Sequence, residues 1–229
     1  MSMLVFPVTM QPMVRLKYIV VGAFGLMLLF VLWNNESFLV NPQSPQWTHF
    51  NPIRLHLIPH GTAGFIALAL GALQFSTRLR QRHSHLHRLF GKIYICSTFV
   101  LAPVAIWMAF VNSPWFLIPF TIVQAIVLLS FTAIAYRCIR RSDFVHHREW
   151  MIRSYSILLI FLEGRVLMAI PPIARGQMDS IVLVNWGCLA VTLVVTEIYL
   201  RRGEVFPSTT GKPEKRNIDR IAASGPAFR

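Results

Sequence analysis

Charged residues are scarce in this chain of 229 residues. They make up 14% of it, against about 25% in a typical soluble domain, while hydrophobic residues make up 55%. This balance argues against a soluble globular fold and indicates a membrane protein. The net charge of +13 does not indicate a nucleic-acid partner, because the lysines and arginines lie between long apolar runs instead of on one polar domain.

Motifs for several kinds of chemistry are also missing. The sequence has neither a Walker loop nor a G-x-G-x-x-G motif, which argues against a nucleotide-driven pump. Its cysteines, Cys96, Cys138 and Cys188, form no C-x-x-C pair. We therefore expect neither a disulfide nor a thiolate metal site.

Long apolar segments are abundant, and six of them have the roughly 20 residues that a helix needs to cross a bilayer. They cover residues 15–33, 57–75, 90–111, 115–136, 153–173 and 181–200. The sequence therefore predicts an all-α fold, a polytopic transmembrane bundle over residues 15–202. A cytoplasmic segment, 1–14, precedes the bundle, and the polar tail 203–229, rich in Pro, Gly and Ser, is predicted to be disordered in the cytoplasm.

Lysine and arginine lie almost entirely on one side of these spans. That side holds the basic clusters within 78–92, 137–153 and 201–202, whereas the other holds only Arg54 and Arg175. Because positively charged loops are retained in the cytoplasm, both termini are predicted to lie inside. We expect the basic loops to contact the anionic head groups of the lipid bilayer. The oligomeric state stays open.

Glu163 and Arg165 are the sharpest local anomaly, since they fall about ten residues into the fifth predicted span, near its midplane. Ionisable groups at that depth cost several kcal/mol unless they are paired or solvated. Two residues on a helix differ by about 200° of rotation, so each side chain needs a partner elsewhere. A buried network that fixes helix packing and a cavity for a proton, an ion or a head group are both open interpretations. The candidate network comprises His60, Gln74, Gln124, Glu163, Arg165 and Asn185.

The second predicted span carries a stripe of small and polar residues on one helical face. Its members are His56, His60, Gly64, Ala67, Gly71 and Gln74. Such a stripe most often packs against another helix. The alternative is a planar cofactor or a quinone lying in the groove, with His60 as its ligand or hydrogen-bond partner.

Eight histidines are enough to consider haem, because imidazoles from two facing helices commonly hold haem iron in membrane cytochromes. The stretch HSHLHRLFGKIYIC places His83, His85 and His87 at the cytoplasmic boundary, where HHREW places His147. A spanning helix is about 30 Å long, so His60 on the outer side cannot share an iron with them. A haem b site would therefore have to join the 83–87 loop to the HHREW loop, for instance through His87 and His147.

The alternating histidines also allow a transition-metal site or a solvated basic loop. No carboxylate lies nearby, and the surrounding lysines and arginines repel a cation. The basic loop is therefore the favoured interpretation, and no metal site is predicted. His87, at the mouth of the third span, is the histidine of the three whose position suits a site.

Several short motifs resemble a family of bacterial predicted multi-pass membrane proteins classed as a domain of unknown function. They are H-x-x-x-H-G-x-x-G, LGALQFSTRLR, HRLFGKIY, HHREWMIRSY and EGR, and they cover about residues 50–170 in order. The resemblance implies a polytopic inner-membrane protein and supplies no substrate. The positions it implies are His60, Gln74, Arg78, His87, Arg88, Gly91, Tyr94, Arg148, Trp150, Arg153 and Arg165. A cytoplasmic-face site would use His87, Arg88, Tyr94, His147, Arg148, Trp150 and Arg153.

No catalytic motif reveals a reaction. The leading interpretation is an integral membrane protein with a polar intramembrane site around Glu163, Arg165 and His60 for a small ligand, a lipid or a quinone. A redox protein with haem b or a quinone is the enzyme alternative. A transporter is the third, although Pro103 and Pro119 interrupt two spans without paired unwinding signals in corresponding halves.

Overall fold

Helices make up the fold. The computed structural model describes residues 22, 24–31, 33, 41, 43, 45–170 and 178–202, without the side chains of 45, 46, 49 and 178–180. The predicted segment 1–14 and the tail 203–229 lie outside the described residues. The helices with assigned bounds are α1 (Pro45–Phe50), α2 (Arg54–Gln74), α3 (Thr77–Arg82), α4 (Ser84–Asn112), α5 (Ile118–Arg140), α6 (Phe144–Met168) and α7 (Met178–Leu200). Short 3-10 turns lie at Asn51–Ile53 and Trp115–Leu117, and residues 24–31 are also helical. The described residues contain no strand, which confirms the predicted all-α class.

Four helical segments among the described residues are long and apolar enough to cross a membrane. They are Asn51–Gln74, Ser84–Asn112, Trp115–Arg140 and Ile181–Leu200. The first predicted span, 15–33, is described only in part. Helix α6 has 25 residues, but charges are spread along it, at Arg148, Glu149, Arg153, Glu163 and Arg165. The chain is thus a helical membrane protein with several candidate spans.

Helix α6 differs most from its predicted span, 153–173, because it runs from Phe144 to Met168. Its early start follows from Asp143, whose carboxylate accepts a hydrogen bond from the backbone N–H of His146 at 3.1 Å and so caps the helix. The HHREW segment therefore forms the first turns of α6 and not a loop. The same holds for His85 and His87, which lie in the first turns of α4.

The other end of α6 lies before the predicted one. Pro171 and Pro172 follow it in the sequence, and a proline disfavours helical backbone in the residue before it. Glu163 and Arg165 consequently lie in the last two turns of α6. Their predicted position near the middle of a span stays a prediction, because the bounds of a helix do not place it in a membrane.

Helices α4, α5 and α6 meet in the interior of the bundle. Tyr94, Thr132, Ser154 and Ile157 are completely buried there. On the outside, large apolar side chains are open, such as Leu55 at 79% and Leu183 at 74% exposure. Apolar surface of this kind carries no penalty against lipid tails, so the exposed faces suit a bilayer.

Candidate functional site

The polar stripe of α2 packs against α4. The rings of His56 and Trp107 stack with centroids 3.7 Å apart, and Nδ1 of His60 donates to the Leu101 carbonyl at 3.2 Å. A Cβ on Gly64 would lie 3.4 Å from Cδ1 of the same leucine. Residue numbers fall along α4 as they rise along α2, so the two helices form an antiparallel hairpin. The stripe is therefore a helix-packing surface in this structure.

Gly71 is the tightest point of that surface. A Cβ there would lie 2.5 Å from the Tyr155 ring carbons and 3.0 Å from Cε2 of Tyr94. The Tyr155 ring cannot easily move away, because its hydroxyl donates to the Leu68 carbonyl at 3.0 Å and Phe75 packs on its edge with ring centroids 5.3 Å apart. Only glycine lets α2 approach α6 this closely.

Gln74 fixes the end of the same hairpin at which α2 leads into α3. With the amide oriented by its neighbours, Nε2 donates to the carbonyl of His87 at 3.2 Å and to its Nδ1 at 2.9 Å, and Oε1 accepts from the Gly91 N–H at 3.2 Å. Gln74 is buried, so these bonds satisfy an amide that would otherwise be costly to bury. They also hold the imidazole of His87 in one orientation.

Tyr94 begins a buried chain of hydroxyl groups. Its hydroxyl lies 2.8 Å from Oγ of Ser154, which lies 2.7 Å from Oγ1 of Thr132, and Thr132 donates to the Leu128 carbonyl at 2.8 Å. Because Thr132 uses its proton on that carbonyl, Ser154 donates to Thr132 and Tyr94 donates to Ser154. The chain joins α4, α6 and α5 and leaves no hydroxyl proton without an acceptor.

Glu163 and Arg165 point to different sides of α6, as the rotation of about 200° predicts. Oε2 of Glu163 accepts from Oγ1 of Thr192 at 2.7 Å, so the carboxylate faces α7. Cys188, one helical turn before Thr192 and buried, is also close enough to interact electrostatically with Glu163. The carboxylate therefore has a hydroxyl partner.

Arg165 faces the other way, toward α2. Its guanidinium lies 5.0 Å from the ring centroid of Phe161, and its charge acts on the imidazole of His60. The arginine ion pairs among the described residues involve Arg153 and Arg201. Arg165 thus has an aromatic contact and no carboxylate partner within the described part of the chain.

The two amides of the predicted network bond to backbone. Nε2 of Gln124 donates to the Ile157 carbonyl at 3.3 Å, and Nδ2 of Asn185 donates to the Ile181 carbonyl at 3.0 Å. Among the described residues, no hydrogen bond connects them to Glu163, Arg165 or His60. The structure therefore distributes the six network residues over several helix contacts.

In the first half of α6, Arg153 joins this helix to α7. Its Nε and Nη2 donate to the two carboxylate oxygens of Glu197 at 2.6 and 3.2 Å, and its Nη1 lies 3.7 Å from the carboxylate of Glu149. The guanidinium also lies 4.7 Å from the ring centroid of Trp150. Arg201 extends the cluster, with its Nε 3.5 Å from Glu197.

His147 and His87 lie in the first turns of α6 and α4, at the same end of the bundle. Nδ1 of His147 donates to the Ala135 carbonyl at 2.8 Å. His87 lies within electrostatic range of both His147 and Arg80. In the part of the chain that is described, no group of three or more His, Cys, Asp or Glu side chains is arranged to hold a metal ion. Arg78, Arg88 and Arg148 are exposed at the same end.

Several residues of these contacts were not singled out from the sequence. They are Thr132, Ser154, Tyr155, Thr192 and Glu197. Buried hydroxyls in apolar helices carry no charge signal, so Ser154 and Thr132 could not be found that way. Glu197 could have been found, because it is a carboxylate inside the sixth predicted span, 181–200.

Comparisons with known proteins give one match. A family model described as a predicted membrane protein, DUF2306, matches residues 57–200. This confirms the resemblance inferred from the motifs and extends it beyond about residue 170 to the end of α7. No curated protein and no solved structure matches the chain.

Proposed function

Because the chain belongs to the DUF2306 family of predicted membrane proteins, we propose that it acts within a bilayer and there binds an anionic amphiphile through Arg165. One observation carries the proposal: Arg165 has Phe161 and His60 nearby but no carboxylate partner among the described residues. A cation in an apolar bundle costs several kcal/mol unless it is neutralised or solvated. A bound phosphate or carboxylate would offset that cost.

His60 gives the proposed site a second kind of contact. Its Nδ1 donates to the Leu101 carbonyl, so the neutral imidazole keeps a lone pair on Nε2. That nitrogen accepts a hydrogen bond from a hydroxyl, while Arg165 donates to an anionic oxygen. The ligand chemistry is therefore an anionic head group with a hydroxyl beside it, attached to an apolar chain.

The proposal includes the predicted topology: six spans, both termini inside, in the bacterial cytoplasmic membrane. Support comes from the basic residues at the ends of α3, α5 and α7 that share one side of the bundle, and from the antiparallel course of α2, α4, α5, α6 and α7. In this orientation His60 and Arg165 lie toward the outer leaflet. Labelling single cysteines with a membrane-impermeant maleimide in intact cells tests it, since a cysteine at position 114 should react and one at position 83 should not.

Lipid binding to the purified protein tests the site itself. Phosphatidylglycerol supplies a phosphate with hydroxyls, oleate supplies a carboxylate alone, and phosphatidylcholine has no net charge. Removing the guanidinium in Arg165→Met should weaken phosphatidylglycerol binding by about tenfold to a hundredfold, as expected for a lost charge-assisted hydrogen bond. Arg88→Met, which removes an exposed cytoplasmic arginine, should leave the affinity unchanged.

The lipid series also separates the sources of the anion. Preference for phosphatidylglycerol over oleate that disappears in His60→Phe supports the hydroxyl contact. Equal affinity of wild type and Arg165→Met for both anionic lipids would overturn the proposal. Tight binding of a neutral quinone by both proteins would have the same consequence, because it would assign the site beside Arg165 and His60 to another ligand.

A second candidate function is redox chemistry with haem b at His87 and His147. The observation that favours it is the fixed orientation of both rings, through Gln74 on one side and the Ala135 carbonyl on the other. Because Nδ1 of His147 donates, Nε2 of that ring keeps a lone pair for ligation. Nδ1 of His87 accepts from Gln74, so ligation through its Nε2 would require the Gln74 amide to turn over and accept from Nδ1 instead. Bound haem would supply one-electron chemistry, and Arg80 would lie near enough to neutralise a propionate.

The absorption spectrum of protein expressed with added haem precursor tests this candidate. A Soret band that is lost in His87→Ala and His147→Ala but kept in His83→Ala supports ligation by the pair. A colourless wild-type protein under the same conditions contradicts it.

A further inference from the structure

The side of α7 that faces α6 carries a line of polar residues. Cys188, Thr192 and Thr196 are buried there, at spacings of four, and Asn185 and Glu197 extend the line at either end. Residues four apart lie on one face of a helix, so these side chains share the contact with α6. A face this polar is unusual on a helix that is otherwise apolar enough to cross a membrane.

Helix α6 contributes a matching line. Arg153, Ser156 and Glu163 lie on one face, at spacings of three and seven residues. The α6–α7 seam therefore begins at the Arg153–Glu197 ion pair and reaches the Glu163–Thr192 hydrogen bond. At its cytoplasmic end it opens into a groove lined by Trp150, Arg153, Glu197, Ile198 and Arg201.

The side chain of Glu163 points into this seam. Side chains on a helix point toward its N-terminus, and the N-terminus of α6 is the end that carries the ion pair. Thr192, which donates to the carboxylate at 2.7 Å, is followed one turn nearer to the groove by Thr196. Thr196 is 7% exposed, and no hydrogen bond within the described residues engages its hydroxyl. Its proton and lone pairs are therefore available to water in the seam.

No cation neutralises Glu163 among the described residues. From α7 the titratable neighbour is Cys188, and α5 has no charged or titratable side chain before Tyr136. On α6 itself, Arg165 points to the opposite side, toward His60 of α2. The carboxyl group is thus paired with a hydroxyl that can donate to its anionic form and accept from its acid form.

We propose that Glu163 is a proton-exchanging site, and that the α6–α7 seam connects it to the cytoplasmic face. The carboxylate takes up one proton from cytoplasmic water through Thr196 and Thr192, becomes a neutral carboxylic acid, and returns the proton by the same route. The site is separate from the amphiphile site at Arg165, which lies on the other side of α6.

Infrared difference spectroscopy of the full chain in lipid nanodiscs tests the proposal. Lowering the pH should produce the C=O stretch of a protonated carboxylic acid, and Glu163→Gln should abolish it. After transfer to heavy water, this band should shift severalfold more slowly in Thr196→Val than in wild type. Thr121→Val is the matched control, because Thr121 bonds to the Leu117 carbonyl at the far end of α5 and should leave the rate unchanged.

Three outcomes would overturn the proposal: a band that survives Glu163→Gln, a band that does not respond to pH, or equal slowing by Thr121→Val and Thr196→Val. Glu163→Asp is the control for misfolding of the glutamine variant, since it should keep a band that responds to pH at a shifted frequency. Arg165→Met should keep the band while losing lipid binding, so the two proposals fail separately.

Discussion

The two halves of α6 differ in how completely their polar groups are paired within the protein. In the half that begins at Phe144, Asp143 caps the helix, Arg153 pairs with Glu197, and Ser154 donates a hydrogen bond to Thr132. In the half that ends at Met168, Glu163 has a single hydroxyl partner, and Arg165 has an aromatic ring and no carboxylate within the described residues.

This difference distinguishes polar groups that hold helices together from polar groups that are available to bind a ligand. A buried group whose donors and acceptors are all used contributes to packing and has no free donor or acceptor for a ligand. A charged group that the protein itself leaves incompletely paired is costly unless something else completes it. The first half of α6 should therefore govern stability, and the second half should govern binding.

The largest expected effect is at the contact between α2 and the first half of α6. Gly71→Ala should lower the free energy of unfolding by about 3 kcal/mol, at the upper end for overpacking, because its Cβ would meet the Tyr155 ring at 2.5 Å. Gly61→Ala on the same helix meets nothing within 4 Å and should not destabilise the protein. Equilibrium unfolding in mixed detergent micelles measures both, and equal losses would contradict the assigned contact.

Opening the hydroxyl chain should have the next largest effect. Ser154→Ala removes the acceptor of Tyr94 and should cost about 1–2 kcal/mol, since it leaves a buried hydroxyl proton unpaired. Tyr94→Phe combined with Ser154→Ala should cost less than the sum of the two single changes. A double-mutant cycle from unfolding curves gives the coupling, and strict additivity would show that the chain is not cooperative.

A smaller effect is expected at the start of α6. The backbone N–H of His146 donates to the Asp143 carboxylate and, with the His146 side chain, lowers the pKa of Asp143 below its ordinary value. The ionised carboxylate therefore stabilises the fold above the unfolded-state pKa, and this contribution is lost as the pH falls through the folded-state pKa. Asp143→Ala should be less stable than wild type at pH 7, with the difference shrinking in acid.

Thermal unfolding followed by circular dichroism at both pH values measures this change. Asp143→Asn, which keeps the cap without the charge, should show a weaker dependence on pH. A difference between wild type and Asp143→Ala that grows in acid would contradict the assigned role.

The smallest loss of stability is expected for Arg165→Met, although that residue carries a full charge. Since no ion pair within the described residues is lost, the free energy of unfolding should fall by no more than about 0.5 kcal/mol. It should rise where nothing neutralises the charge in wild type. The same unfolding measurement as for Ser154→Ala makes the comparison direct. If Arg165→Met proves the more damaging of the two, the division of α6 into a packing half and a binding half is wrong.

Much of the helical architecture could be predicted from the sequence. Apolar runs located α2, α4, α5 and α7, and rotation about a helix correctly separated Glu163 from Arg165. The stripe from His56 to Gln74 was correctly expected to allow a close helix contact, because its spacing places it on one face. These features depend on one helix at a time, which is why periodicity reveals them.

What could not be predicted depends on pairs of helices. The partner of Tyr94 is Ser154, sixty residues later, and the partner of Arg153 is Glu197. Nothing in the spacing within one helix specifies these pairs. The end of α6 was missed for a different reason, since the apolar run continues past Met168 while the proline pair prevents the helix from doing so.

The α2–α4 hairpin is joined by a series of contacts in one register, from the His56–Trp107 stack to the bonds between Gln74 and His87. Inserting a single residue into α2 between Gly61 and Gly71 would rotate everything after it by about 100°. Every contact on one side of the insertion would then turn away from α4 together. Length changes in this hairpin should therefore be tolerated better in the segment 76–83, which links the two helices and contains none of these contacts.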